Sequence, residues 1–88
     1  MTASDGLAKA IQCAAAALDK KAIDLVVLDV GALTSIADYL VICTGRSDRQ
    51  VQAIAQAIDE ELRTRGSRPT AIEGMTRGQW VLMDFNDV

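Results

Sequence analysis

Residues 38–62 read DYLVICTGRSDRQVQAIAQAIDEEL, and this stretch decides the fold. Tyr39 to Cys43 are five consecutive apolar residues, rich in β-formers and too short for a free-standing helix, so they predict a strand. Thr44-Gly45-Arg46 interrupts the run, because glycine permits backbone angles that other residues avoid. Ser47 then stands where a helix N-cap belongs, with Gln50 at the capping-box spacing and Asp48 in the first turn, the end where the helix dipole favours a negative charge. Val51, Ile54, Ala55, Ile58 and Leu62 recur on one helical face, and Arg49, Gln52, Gln56, Asp59, Glu60 and Arg63 cover the other. Asp59 with Arg63, and Glu61 with Arg65, are i,i+4 pairs of favourable polarity, and Gly66 supplies the stop. A strand, a tight turn and a capped amphipathic helix make half of a βαβ unit.

Working outward toward the N-terminus, Ile23 to Val30 (IDLVVLDV) is a second apolar strand. Both of its faces are apolar, as are those of Tyr39 to Cys43, which is the pattern of strands covered on both sides. Only Gly31 to Asp38 lie between them, too few residues for a parallel crossover, so the two strands pair antiparallel. Before them, Ser4 is a candidate N-cap with Asp5 behind it. A helix through about Asp19 follows, with an apolar stripe of Leu7, Ile11, Ala14, Ala15 and Leu18, flanked by Ala10 and Ala17. Lys20 and Lys21 lie at its C-terminal end, where the dipole favours cations.

Toward the C-terminus, Arg68 to Glu73 (RPTAIE) predicts a third strand, with Pro69 tolerable at its start. Gly74 to Gly78 form a hairpin loop, and Gln79 to Phe85 (QWVLMDF) a fourth strand. Alternation puts Val81, Met83 and Phe85 on one face of it and Trp80, Leu82 and Asp84 on the other. Asp84 marks its face as partly wet, so Trp80 and Leu82 are expected on an accessible surface. The fold class is α/β: a single mixed β-sheet with flanking helices, in the order α-β-β-α-β-β.

Eighty-eight residues make one domain, spanning 1–88. A chain this short buries roughly 60–65% of its unfolded surface, a real but small core. No apolar run approaches the ~18 residues of a membrane span, and Asp5 argues against a signal peptide, so a cytoplasmic protein is expected. Cys13 and Cys43 lack C-x-x-C spacing and read as small buried apolar residues. The sequence contains no histidine, the commonest general base and metal ligand. Nine basic against twelve acidic residues give a net charge of −3. Without a Lys/Arg cluster, such a chain is poorly suited to gripping nucleic acid directly and better suited to a basic partner protein.

Several segments together resemble the ribosomal silencing factor (Iojap) family. They are Asp19-Lys20-Lys21-Ala22-Ile23-Asp24, Leu28-Asp29-Val30, Ile36-Ala37-Asp38-Tyr39-Leu40-Val41-Ile42, Thr44-Gly45-Arg46-Ser47, Arg49-Gln50-Val51, Ile72-Glu73-Gly74 and Trp80-Val81-Leu82-Met83-Asp84. They follow the family's order over most of the chain. The resemblance implies a nucleotidyltransferase-like α/β fold without catalysis, cofactor or metal. It also implies binding to the large ribosomal subunit through large-subunit ribosomal protein fourteen at the intersubunit face, so that the small subunit cannot join. Bacterial members repress translation under starvation stress, and organellar relatives assist ribosome biogenesis. The family continues past the position of Val88 with a further strand and helix, so this chain reads as C-terminally truncated relative to it.

Alternation alone leaves Trp80 open between core and interface; the resemblance favours interface, with Trp80, Leu82 and Asp84 as the expected partner-binding residues. Two other classes stand beside this reading. A metal-dependent, nucleotidyltransferase-like enzyme would draw on Asp24, Asp29, Asp38, Asp84 and Asp87, but no D-x-D pair occurs to hold two metals. Asp38 reads instead as a tie for the backbone of the Gly31–Asp38 loop. Thr44 to Ser47 lack the Gly-rich spacing and lysine of a P-loop and read as a turn plus cap. A homodimerisation module would use an uncovered apolar sheet face.

Overall fold

A computed structural model describes residues 3–88 of the protein, in the order α1 (Ala3–Asp19), β1 (Ile23–Asp29), β2 (Tyr39–Thr44), α2 (Asp48–Thr64), β3 (Ala71–Glu73) and β4 (Leu82–Asp84). The element order is the one expected, and no helix among the described residues is long and apolar enough to cross a membrane. The Ser4 cap lies outside the described side chains.

Helix α2 forms as its sequence dictates. Ser47 Oγ accepts from Gln50 N at 3.1 Å, and Gln50 Oε1 reaches back to accept from Arg46 N at 2.7 Å. Gln50 also donates through Nε2 to the carbonyls of Lys20 and Lys21, so the cap of α2 also holds the end of α1. The ion pairs Arg63–Asp59 and Arg65–Glu61 close at 2.9 and 2.8 Å. At the other end Ser67 N donates to Leu62 O and Gly66 N to Arg63 O, with Gly66 at φ 85, the left-handed stop that glycine adopts without strain. Helix α1 stops in the same way with Lys21 at φ 63, donating to Leu18 O, while Ala22 N donates to Ala17 O. Replacing Ser47 by alanine is expected to cost about 1 kcal/mol in urea unfolding. An unchanged midpoint, together with loss of a nucleotide-binding signal, would instead favour a phosphate loop.

The face of α1 that packs differs from the expected one. Gly6, Ala10, Cys13 and Ala17 are buried, while Leu7, Ile11 and Leu18 are exposed. Small side chains let α1 lie close to α2 and the sheet, and the larger residues one step around the helix are left outside. The core divides into two adjoining clusters. Cys13, Leu62 and Phe85 form one, with Val41, Ile58, Met83 and Val88 against it; Ala17, Ala22 and Ile54 form the other, with Leu25, Cys43 and Ile58.

The single mixed sheet is replaced by two separate two-stranded antiparallel sheets, β1–β2 and β3–β4. In the first, Val26 faces Ile42, Val27 faces Val41 and Leu28 faces Leu40, after an irregularity between Ile23 and Val26 where Asp24 takes φ 53. In the second, Ala71 faces Asp84, Ile72 faces Met83 and Glu73 faces Leu82. Strands β3 and β4 are three residues each, shorter than their apolar runs suggest. Nor are β1 and β2 covered on both sides. Only the face carrying Tyr39, Val41 and Cys43 turns toward the helices, and Val26, Leu28, Leu40 and Ile42 are exposed on the other.

Among the described residues, no three of the carboxylates gather at one point. Asp84 Oδ1 accepts from Asn86 N, and Asp87 Oδ1 pairs with Lys9 Nζ at 2.7 Å, tying the last residues to α1. The Gly31–Asp38 loop is tied by Asp29 Oδ1 to Gly31 N and by Thr34 Oγ1 to Ile36 N, and Asp38 contributes its main-chain carbonyl, accepting from Val30 N. The expected side-chain role thus falls to Asp29 and Thr34.

Cys13 and Cys43 are free thiols. Burial pushes Cys13 up from 9.0 to about 11, only partly offset by the nearby Lys9, and burial raises Cys43 too. An unfolded thiol releases its proton near 9 while folded Cys13 holds it to about 11, so stability is complete below pH 9 and falls between pH 9 and 11. Cys13→Ala is expected to flatten that slope in pH-dependent thermal melts; an identical slope would contradict it.

Candidate functional site

Trp80, Leu82 and Asp84 are delivered by the β3–β4 hairpin. Its loop is anchored on α2: Gln52 Nε2 donates to the carbonyls of Met75 at 2.9 Å and Thr76 at 3.2 Å. Gly78 sits so close to α2 that a Cβ there would stand 2.7 Å from Asp48 O and 2.8 Å from Gln52 Cγ. Gly74, at φ 86, lies beneath Trp80, where an added Cβ would meet the Trp80 carbonyl and stand 3.0 Å from its Cε3. Glycine is needed at 74 for both the left-handed backbone and the close approach. The indole rests on this glycine and is 59% exposed.

Alternation separates the two sides of the fourth run. Phe85 is buried and Val81 and Met83 are half-buried, with Met83 against the Cys13–Leu62–Phe85 cluster, whereas Leu82 is 54% exposed and Asp84 exposed. Across the hairpin, Glu73 stands opposite Leu82 and Ala71 opposite Asp84 on that same outer face. The three expected residues therefore share one surface: an aromatic ring and a leucine, flanked by the carboxylates of Glu73 and Asp84. The surface is thus apolar at its centre and acidic at its rim.

Sequence reasoning missed two parts of this site. Glu73 joins it through register, which no single strand reveals. The outer face of β1–β2 adds Val26, Leu28, Leu40 and Ile42. The available signal was the helix count: two amphipathic helices on one side of a sheet leave its other side open. Leu33 and Ile36, 84% and 81% exposed, extend the apolar surface on the neighbouring loop.

Between the two sheets runs a cleft of about 560 Å³, lined by Leu40 to Gly45 of β2 and its turn, by Gln79 to Met83, and by Val51, Ile54, Ala55 and Ile58 of α2. Thr44 to Ser47 close upon α2 rather than opening as a phosphate cradle, since a Cβ at Gly45 would lie 2.9 Å from Val51 Cγ2. Among the described residues, no three or more Asp, Glu or Cys gather where they could hold a metal ion.

A family model described as "Ribosomal silencing factor during starvation" (RsfS) matches residues 3–88. The chain is 44% identical over 75 residues to the ribosomal silencing factor RsfS of Bacillus subtilis, covering 85% of this chain and 64% of that protein. It is 37% identical over 70 residues to the RsfS of Zymomonas mobilis, covering 80% of this chain and 53% of that protein. A crystal structure of a Chromobacterium violaceum protein superposes over 100% of this chain and 71% of its own, with a TM-score of 0.87 at 35% identity. A crystal structure from Bacillus halodurans covers 88% of this chain and 71% of its own, with a TM-score of 0.82 at 35% identity. The chain spans less than two thirds of the length of these two curated relatives. With the family model matching nearly every residue and the fold shared at this level, the chain belongs to the ribosomal silencing factor (RsfS) family.

Proposed function

We propose that this protein represses translation in the cytoplasm by binding the large ribosomal subunit at its intersubunit face, through large-subunit ribosomal protein fourteen, and blocking small-subunit joining. The observation that carries this reading is the exposed Trp80–Leu82 pair set between Glu73 and Asp84, in a chain of this family. An exposed tryptophan on a rigid hairpin is the residue type that dominates interface energetics. The flanking carboxylates and the net charge of −3 complement a basic ribosomal protein and oppose direct contact with RNA phosphates. Repression by occlusion needs a surface and no reacting group, so the protein acts here as a steric block and not as an enzyme.

The test is a joining assay. Purified large subunits are saturated with the protein, small subunits are added, and joined ribosomes are resolved on sucrose gradients. The joined peak is expected to shrink in proportion to occupancy. Full joining at saturating protein would refute occlusion, and metal-dependent nucleotide turnover, lost with one carboxylate, would install an enzyme in its place.

A further inference from the structure

We propose that the end of the molecule where α2 begins is a docking face for an RNA backbone, gripping phosphates through Lys20, Lys21, Arg46, Arg49 and Arg77. No run in the sequence announces this cluster; the fold assembles it from three segments. On one flank, Gln50 Nε2 donates to the carbonyls of Lys20 and Lys21 at 3.2 and 3.1 Å, which draws the end of α1 against the start of α2. On the other, Gln52 Nε2 donates to the carbonyls of Met75 and Thr76, and Gly78 lies against the Asp48 carbonyl, which brings Arg77 to the same turn. Residues 50 and 52 stand about 200° apart around a helix, so Arg49 is directed away from the face that buries Ile54, Ala55 and Leu62. Arg46 precedes the cap, its N–H donating to Gln50 Oε1 at 2.7 Å. All five residues are exposed.

Charge and polarity together name the occupant. Among the described residues the ion pairs engage Lys9, Arg63 and Arg65, so none of these five cations is neutralised by a neighbour. Asp19, Asp24 and Asp48 are the acids beside them, which leaves this face at +2 and the rest of the chain, with four cations and nine acids, at −5. The net charge of −3 thus hides a separation. The exposed residues of the three segments, Asp19 to Lys21, Thr44 to Arg49 and Thr76-Arg77, are all polar. A protein interface carries an apolar centre, which this face lacks, whereas contact with an RNA backbone needs only cations and polar donors. Cations standing on three separate segments suit a ligand whose charges repeat along its length. Ser47 and Gln50 already fill the capping positions of α2, so the grip falls to these side chains and not to the helix end. At the Trp80–Leu82 surface Glu73 and Asp84 repel phosphates, so the two surfaces take different partners. That the polyanion is RNA rests on the ribosomal reading; the charge of the face does not.

The experiment titrates the protein with a short RNA duplex, read by fluorescence anisotropy between about 50 and 200 mM salt, and with poly-glutamate as a protein-like polyanion. The protein is expected to bind the duplex at low salt and to lose roughly a hundredfold in affinity across the range, so that RNA alone holds it weakly at physiological salt. Lys20→Gln/Lys21→Gln/Arg49→Gln is expected to bind about tenfold more weakly at low salt and to flatten the log–log salt slope by about one per cation removed. Arg46→Gln/Arg77→Gln, on other segments, flattens it by about two. Both variants keep the urea midpoint, and Trp80→Ala leaves duplex binding unchanged. The duplex carries no ribosomal protein, so its result and that of the joining assay stand separately. No binding at low salt, an unaltered slope in both variants, or equal binding of poly-glutamate, which would assign the face to an acidic protein, would overturn the proposal.

Discussion

Leu62→Ala is expected to destabilise the domain by about 2–5 kcal/mol, read as a lowered urea midpoint. Leu62 is fully buried and clusters with Cys13 of α1 and Phe85 of the β4 run, so it joins both helices to the hairpin. Val41, Ile58, Met83 and Val88 also pack against this cluster, so truncation to alanine opens a cavity among them. Small domains hold only about 5–15 kcal/mol in total, so the variant should be substantially unfolded or close to it. A loss under about 1 kcal/mol would mean that the two helices are held together by something other than this cluster.

Trp80→Ala separates fold from function. The indole is mostly exposed and rests on a glycine, so truncation should move stability by no more than about 0.5 kcal/mol. Large-subunit binding should weaken by about 2 kcal/mol or more, roughly 30-fold, as for an interface anchor. Unfolding of this variant would show that the ring supports the core and that the binding face lies elsewhere. Unchanged affinity in a folded variant would remove Trp80 from the interface.

Legibility of the chain followed the range of the interactions. Helix α2 was readable to its ends, because Ser47, Gln50, Gly66 and the two ion pairs act within a turn of their own backbone. The orientation of Trp80 against Val81, Met83 and Phe85 was readable for a related reason: alternation is a local rule. The face of α1 was misread because hydrophobicity selects Leu7, Ile11 and Leu18, whereas close approach selects Gly6, Ala10 and Ala17. The single sheet was misread because strand partnership is a long-range property. Apolar runs mark β2 and β4 as strands without saying that a cleft separates them. Of the surface proposed for binding, the grouping of Trp80, Leu82 and Asp84 was visible in one apolar run, while Glu73 and the outer face of β1–β2 required register and the placement of both helices.

Sedimentation of the protein with separated ribosomal subunits tests the central claim most directly. In physiological salt it should travel with large subunits and not with small ones, and Trp80→Ala should release it. Migration with small subunits, or equal binding to naked ribosomal RNA, would contradict an acidic, tryptophan-anchored surface that recognises a protein on the large subunit.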